Sequence, residues 1–214
     1  MNFKTTITSV LATGALALST AVSAATFDFA YQADNVPPFE RGYASYSLTD
    51  DGITVTATGS DLSGNTDYFA YLDYGNAGLG VCKKLDANNQ CDPNNDDNTT
   101  LGEVLHLSFD NEVTIKSLNF TNGDHIKNFV GTDGVVNQFN VKVDGVTSTY
   151  DLEALFTKSL TGTHFDFWLA DQVEDSDQNQ FYISGLTAVP APAPLALLAL
   201  GLLGLYGANR KKQA

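Results

Sequence analysis

An acidic, amide-rich run between Asp92 and Glu103 offers side-chain oxygen atoms at regular spacing. Counted from Asp92 as position one, oxygen-bearing side chains stand at positions one, three, five, seven, nine and twelve: Asp92, Asn94, Asp96, Asn98, Thr100 and Glu103. Calcium takes six to eight hard oxygen ligands, and helix–loop–helix calcium sites use this spacing. The run therefore predicts a calcium site of modest affinity. Asp97 stands where such loops need Gly, so a ligand loop on a β-scaffold is expected, and a solvated loop without metal is the alternative.

The remaining chemistry-bearing residues form no recognisable catalytic motif. The three histidines, His106, His125 and His164, have neither H-x-x-x-H nor H-x-H spacing, which argues against a zinc site. No serine stands in a G-x-S-x-G elbow. A carboxylate pair for glycoside hydrolysis stays possible in so acidic a chain, but no pair stands out. The sequence therefore predicts no catalytic residues.

Four aromatic residues are candidates for stacking on sugar rings. They are Tyr68, Tyr71, Tyr74 and Trp168. Stacking requires that their rings be exposed, whereas aromatic side chains of β-sandwiches commonly fill the core. Both readings stay open at this point.

The elements that must position these residues are predicted to be strands. Short alternating runs rich in Val, Ile, Thr, Tyr and Phe are separated by Gly, Asn and Asp. The runs cover 26–31, 43–48, 53–58, 67–74, 104–109, 113–120, 139–143, 146–150, 165–169 and 181–183. Asp50-Asp51-Gly52 and Asp144-Gly145 predict hairpin turns. The pattern indicates an all-β fold, a single β-sandwich of jelly-roll-like type.

Two stretches depart from this alternation. Asp151–Ser159 is expected to form a helical turn or two. Gly75–Glu103 loses the alternation for nearly thirty residues and is predicted to be a long irregular loop, which in a compact domain is usually functional or disordered.

Residues 1–24 predict a secretory signal peptide. Lys4 provides the positive start, 10–17 are apolar or small, and Val22-Ser23-Ala24 gives a small-x-small cleavage site before Ala25. The two cysteines, Cys82 and Cys91, are nine positions apart, and in an oxidising compartment they are expected to form a disulfide. Free thiols or a metal-binding pair are the alternatives.

Residues 189–214 form a second targeting segment. Val189-Pro190-Ala191-Pro192-Ala193-Pro194 precedes an apolar run over 195–208, which ends at Arg210, Lys211 and Lys212. Fourteen apolar residues span roughly 21 Å as a helix, against a hydrocarbon core of about 30 Å. The run is thus a marginal anchor with a basic cytoplasmic stop. A permanent weak anchor is the alternative to transient sorting.

This tail resembles the PEP-CTERM sorting signal of Gram-negative bacteria. The resemblance is carried by Val189, Pro190 and Pro192, by the short apolar helix and by the basic end, although Ala191 takes the place of the usual Glu. It implies a transient stay in the inner membrane, processing by an exosortase-type protease, and a final position at the cell surface or in the extracellular matrix.

The segment over 25–188 is then the ectodomain. All 25 acidic residues but only seven of the eleven basic ones lie between the two targeting segments, so the formal charge there is −18. Such a domain repels nucleic acid and attracts cations. The expected function is that of a non-enzymatic surface or matrix protein, structural or binding exopolysaccharide. A secreted hydrolase acting on polysaccharide is the alternative.

Overall fold

The structure is a computed structural model that describes residues 23–127, 137–170 and 180–191. Most of both expected targeting segments lies outside these residues. Of the expected sorting residues, Val189 and Pro190 are described, whereas Pro192, Arg210, Lys211 and Lys212 are not.

Thirteen strands and one helix make up the described chain. They are β1 (Ala25–Asp28), α1 (Phe29–Asn35), β2 (Arg41–Tyr43), β3 (Tyr46–Asp50), β4 (Ile53–Asp61), β5 (Phe69–Asp73), β6 (Gly78–Cys82), β7 (Thr99–Thr100), β8 (Glu103–Asn122), β9 (Gln138–Val143), β10 (Val146–Asp151), β11 (Leu155–Phe156), β12 (Leu160–Leu169) and β13 (Gln180–Pro190). The predicted all-β, sandwich-like fold is confirmed.

All pairings between these strands are antiparallel. The main path runs β10-β9-β12-β8-β13-β6-β5-β2, and β1, β3, β4, β7 and β11 join from the side. The long strand β8 connects the assembly: its first half pairs with β4 and its second half with β13, while β12 follows its other edge. Between the halves, Asp110–Glu112 are exposed. Strand β8 thus pairs with different strands along its length and joins them into one sheet.

One aromatic-rich core lies inside this sheet. Phe27, Phe120, Phe139, Phe165 and Phe181 are each 0% exposed. Phe120 packs edge-on against Phe181 with ring centroids 5.5 Å apart, and Phe139 lies 5.1 Å from Phe120. Alternating strands place these rings on one face, which is why the period-two pattern predicted the fold.

The two predicted hairpin turns are also confirmed. Asp51 and Gly52 have φ of 44° and 77°, and Asp144 and Gly145 have φ of 45° and 96°. Two consecutive residues with positive φ match the twist of the strands they join, and Asp-Gly adopts that conformation at low cost.

Three local predictions are wrong. Phe29, Ala30 and Tyr31 begin helix α1 rather than continuing a strand, because the Asp28 side chain accepts a hydrogen bond from the Tyr31 N–H (2.8 Å) and caps the helix. The run over 43–48 is divided between β2 and β3. The segment Asp151–Ser159 contains β11 and no helix.

The expected loop over 75–103 contains a buried strand. All five residues of β6 are buried: β5 and β13 pair with its two edges, and helix α1 and strand β4 also contact it. A strand covered on both faces has no need to alternate, and Gly78-Leu79-Gly80 has weak strand propensity. The sequence pattern therefore missed it.

The last strand runs beyond the domain boundary expected at residue 188. Val189 and Pro190 pair with Thr114 and Val113. The start of the expected linker therefore belongs to strand β13. Proline fits there because it ends the strand and needs no further ladder hydrogen bond. Within the described ranges, no helix is long and apolar enough to cross a membrane.

Candidate functional site

The predicted disulfide is confirmed. Cys82 and Cys91 are bonded, with their Cα atoms 5.9 Å apart. Both are buried and pack with Tyr71 in a small second core. The bond joins the end of β6 to the segment that precedes the predicted calcium ligands, so it fixes where that segment starts.

The three acidic residues among the predicted calcium ligands form ion pairs with two different lysines. The Lys84 ammonium pairs with Asp92, which is half exposed. The Lys83 ammonium lies 3.2 Å from Asp96 Oδ1 and 3.3 Å from Glu103 Oε1. The structure thus brings Asp96 and Glu103 together around a cation of the chain itself, and it places Asp92 elsewhere.

Glu103, Asn94 and Asn98 also have separate surroundings. Glu103 is 1% exposed, and its Oε2 accepts hydrogen bonds from the Thr100 N–H (2.8 Å) and hydroxyl (2.7 Å). Asn98 is buried and Asn94 is exposed, and both line a cavity. In the part of the chain that the structure describes, no group of three His, Cys, Asp or Glu is arranged to hold a metal. Calcium binding stays a prediction.

A second group of polar residues converges behind this loop. It consists of Asp73 at the end of β5, Asp97 before β7, His125 in the turn after β8, and Tyr182 on β13. The Tyr182 hydroxyl donates to Asp97 Oδ1 (2.7 Å), and His125 Nε2 lies 2.9 Å from Asp73 Oδ2. The His125 ring also packs edge-on against the Tyr182 ring. We call these four residues the Asp73 cluster.

Local backbone structure places the members of the Asp73 cluster. The Asn122 side chain accepts hydrogen bonds from the N–H groups of Asp124 and Ile126, which forms the turn that carries His125. Asp97 approaches β6 over Gly80, where a Cβ atom would overlap the Asp97 carbonyl oxygen. Only glycine permits this close packing of backbone on backbone.

Burial raises the pKa of both acids in the Asp73 cluster. Asp73 is 4% exposed, and desolvation, with the Asp97 charge as second cause, raises its pKa to about 8. Burial also raises the pKa of Asp97, an effect that the Tyr182 hydrogen bond opposes. The pKa of Tyr182 is raised by burial and by the two neighbouring acids, so its hydroxyl stays a donor. A pKa of about 8 favours the protonated form of Asp73 at neutral pH.

A cavity of about 570 Å³ opens beside the Asp73 cluster. Its lining is mostly neutral and rich in amide side chains: Asn94, Asn95, Asp97, Asn98, Gly123, His125, Gln180 and Tyr182. Asn98 is 3% exposed, and among the described residues its Oδ1 atom has no hydrogen-bond partner. We call this space the amide cavity. It offers both donors and acceptors without a dominant charge.

A separate row of polar side chains crosses three strands. His106 on β8 lies directly opposite Asp166 on β12, and its Nδ1 is 2.7 Å from Asp166 Oδ1. The other ring nitrogen, Nε2, is 2.7 Å from Ser60 Oγ on β4. Lys142 on β9 lies 3.4 Å from Asp166 Oδ2. This Ser60–His106–Asp166 row is a serine, a ring base and a carboxylate in hydrogen-bond sequence.

The aromatic residues proposed for sugar stacking do not form a shared exposed face. Tyr71 is 1% exposed, and its hydroxyl oxygen lies within hydrogen-bond distance of Glu40 Oε1 (2.8 Å) and Gln90 Oε1 (2.9 Å). Tyr68 and Trp168 are partly covered, whereas Tyr74 is 59% exposed. A flat aromatic platform made of these four residues is therefore excluded.

Sequence reasoning missed the Asp73 cluster and the polar row. Asp73, Tyr182, Ser60 and Asp166 come from strands far apart in the chain and belong to no local motif. One signal was present at Ser60 and Asp166: polar side chains at outward positions of strands whose other face is apolar. That pattern marks the outward side of a strand; it does not say which residues meet there or that Ser60 is covered by its neighbours.

Comparisons with known proteins find no matching family model, no matching curated protein and no matching solved structure.

Proposed function

We propose that this protein is exported and sorted to the cell surface or extracellular matrix, where the amide cavity binds a neutral polysaccharide. The signal peptide and the PEP-CTERM-like tail support the location, with an exosortase-type protease and the inner membrane as transient partners. Exopolysaccharide is the ligand class. The observation that carries the binding role is the side-chain composition of the cavity.

The lining of the amide cavity matches the chemistry of an uncharged polyol. Each sugar hydroxyl both donates and accepts a hydrogen bond, and each Asn or Gln side chain offers two donors and an acceptor oxygen. Four such amides line the cavity, together with His125 and the Tyr182 hydroxyl. The ectodomain charge of −18 disfavours anionic ligands, and an amide lining gives a cation few charges to pair with.

Binding of neutral and acidic polysaccharides by the purified protein tests this proposal. We expect retention on a neutral polysaccharide and about tenfold weaker binding for Gln180→Ala and Asn94→Ala, since each removes an amide from the cavity. Gln138→Ala is the matched control, because Gln138 bonds Asp151 on an exposed sheet face. Equal weakening by all three substitutions, or binding to none of the neutral polysaccharides, would contradict the proposal.

A second candidate function is polysaccharide hydrolysis at the Asp73 cluster. It is favoured by one observation: two buried or half-buried acids share one small cluster, where the Tyr182 hydroxyl donates to Asp97 Oδ1 (2.7 Å) and His125 Nε2 lies 2.9 Å from Asp73 Oδ2. Burial raises the pKa of both acids. A protonated acid beside a second carboxyl is the pairing that glycoside hydrolysis uses. Release of reducing ends by the wild-type protein, and its loss in Asp73→Asn, distinguishes hydrolysis from binding alone.

A further inference from the structure

The Ser60–His106–Asp166 row is set by strand register. His106 pairs with Thr58 on β4 and with Asp166 on β12, so Ser60 lies two residues along β4 from the partner of His106. Side chains two apart on a strand share a face, and a diagonal neighbour is within reach of an imidazole ring. Three paired strands therefore fix the relative positions of a hydroxyl, a ring and a carboxylate.

The hydrogen bonds give the ring a defined orientation. Asp166 Oδ1 accepts from Nδ1–H, and Lys142 on the far side holds the other carboxylate oxygen. Burial acts to raise the pKa of Asp166, but His106 and Lys142 outweigh it, so the net direction is downward and the carboxylate is ionised. With the proton on Nδ1, the Nε2 lone pair faces Ser60 Oγ.

The three residues of this row differ in their exposure to solvent. Ser60 is 3% exposed, whereas the His106 and Asp166 side chains are 29% and 23% exposed. A reacting group must therefore approach along the ring edge and insert only a small portion next to Ser60. The Ser60 hydroxyl also lies 2.9 Å from the Asp61 carbonyl oxygen, which is a second possible acceptor for its hydrogen bond.

We propose that Ser60, His106 and Asp166 form an acyl-transfer site that hydrolyses esters of short acyl groups such as acetyl. Ser60 Oγ attacks the ester carbonyl while its proton moves to His106 Nε2. The alcohol leaves with that proton, and an acyl-serine forms. Water then attacks the acyl-serine with His106 as base, which releases the carboxylic acid and restores Ser60. Asp166 is a positioning residue that holds the ring tautomer.

Covalent labelling of the purified wild-type protein with a fluorophosphonate tests this proposal. The serine oxygen displaces fluoride from phosphorus, and peptide mass spectrometry locates the adduct. We expect the adduct on Ser60, with hydrolysis of p-nitrophenyl acetate lost in parallel. An intact protein without an adduct on Ser60, or one modified on several serines at equal rates, would overturn the proposal. This result needs no variant to fold.

Substitutions separate catalysis from a structural role of the row. We expect His106→Gln to slow labelling by about 100-fold or more. Asp166→Asn should lower kcat for p-nitrophenyl acetate and leave KM unchanged, which a merely structural carboxylate would not do. Ser108→Ala is the matched control, because Ser108 lies opposite His164 on the same two strands. Labelling of Ser60 at the wild-type rate in folded His106→Gln would refute the role of the ring.

Discussion

At the scale of single residues, Asp73 has an unusual environment for a carboxyl group. It combines near-complete burial with a second carboxyl, a tyrosine hydroxyl and an imidazole as neighbours. Keeping it neutral removes the cost of burying a charge. The Asp73 cluster is therefore stable as a protonated network.

This predicts that stability falls as pH rises toward 8. The folded pKa of Asp73, about 8, exceeds its ordinary value of 3.8, so the native state binds the extra proton between those values. The free energy of unfolding then falls with rising pH by up to about 1.4 kcal/mol per unit in that window. Asp97, Glu40, Tyr182 and His125 face the carboxyl of Asp73.

Thermal unfolding between pH 5 and pH 9 measures this effect. Asp73→Asn imitates the protonated acid, so its melting temperature should depend less on pH than that of the wild type. Asp86→Asn is a suitable control, since Asp86 is exposed and its pKa is lowered by backbone hydrogen bonds from Gln90 and Asn88. If the wild type and Asp73→Asn show the same pH dependence, Asp73 is ionised in the native protein.

At the scale of elements, the disulfide and β6 decide where the acidic segment lies. The bond closes a loop of nine positions from the end of β6. Replacing Cys82 and Cys91 by Ser should lower the free energy of unfolding by about 2–3 kcal/mol, because the unfolded chain regains freedom. Urea unfolding gives the loss, and the same loss should follow from reductant on the wild type. A stability unchanged by reductant would contradict this account.

The acidic segment carries the calcium prediction. We expect about 1 mM calcium to raise the melting temperature slightly, since a bound cation stabilises the native state. The Lys83 ammonium already neutralises Asp96 and Glu103, so calcium must compete with it and affinity must be modest. Asp96→Ala and Glu103→Ala should remove the shift, and Asp144→Ala in the distant hairpin should keep it. An identical melting temperature in calcium and in chelator would rule out the site.

At the scale of the whole molecule, the two ends of the described domain lie side by side. Ala25 pairs with Ala188, because β1 runs antiparallel to β13. Ala25 is also the residue expected to follow signal-peptide cleavage, and it is 0% exposed in the sheet. Both expected targeting segments therefore leave the domain at the same end.

Mass spectrometry of the native protein tests the processing at both ends. We predict an N-terminus at Ala25 and loss of everything beyond the 190–194 region, since the apolar run is too short for a stable anchor. Replacing Arg210, Lys211 and Lys212 by Ala should impair membrane retention before processing. Surface protein that keeps Arg210-Lys211-Lys212 would show a permanent anchor instead.

The sequence by itself determined the fold class, the two Asp-Gly hairpins and the disulfide. Period-two alternation indicates that one face of a strand is buried, and an Asp-Gly pair indicates positive φ. In a chain expected to be exported, two cysteines can form only one disulfide with each other. The first two signals are local in the sequence, and two cysteines allow only one pairing. They do not depend on which strand lies next to which.

Only the tertiary structure decided which polar residues meet. The spacing of the predicted calcium ligands is visible in the sequence. In the structure, however, Lys83 pairs with Asp96 and Lys84 pairs with Asp92, because both lysines directly follow β6. Ser60, His106 and Asp166 are brought together by β4, β8 and β12, and Asp73 reaches Asp97 through the packing at Gly80. Strand register and close backbone packing are long-range properties, so spacing along the chain does not encode them.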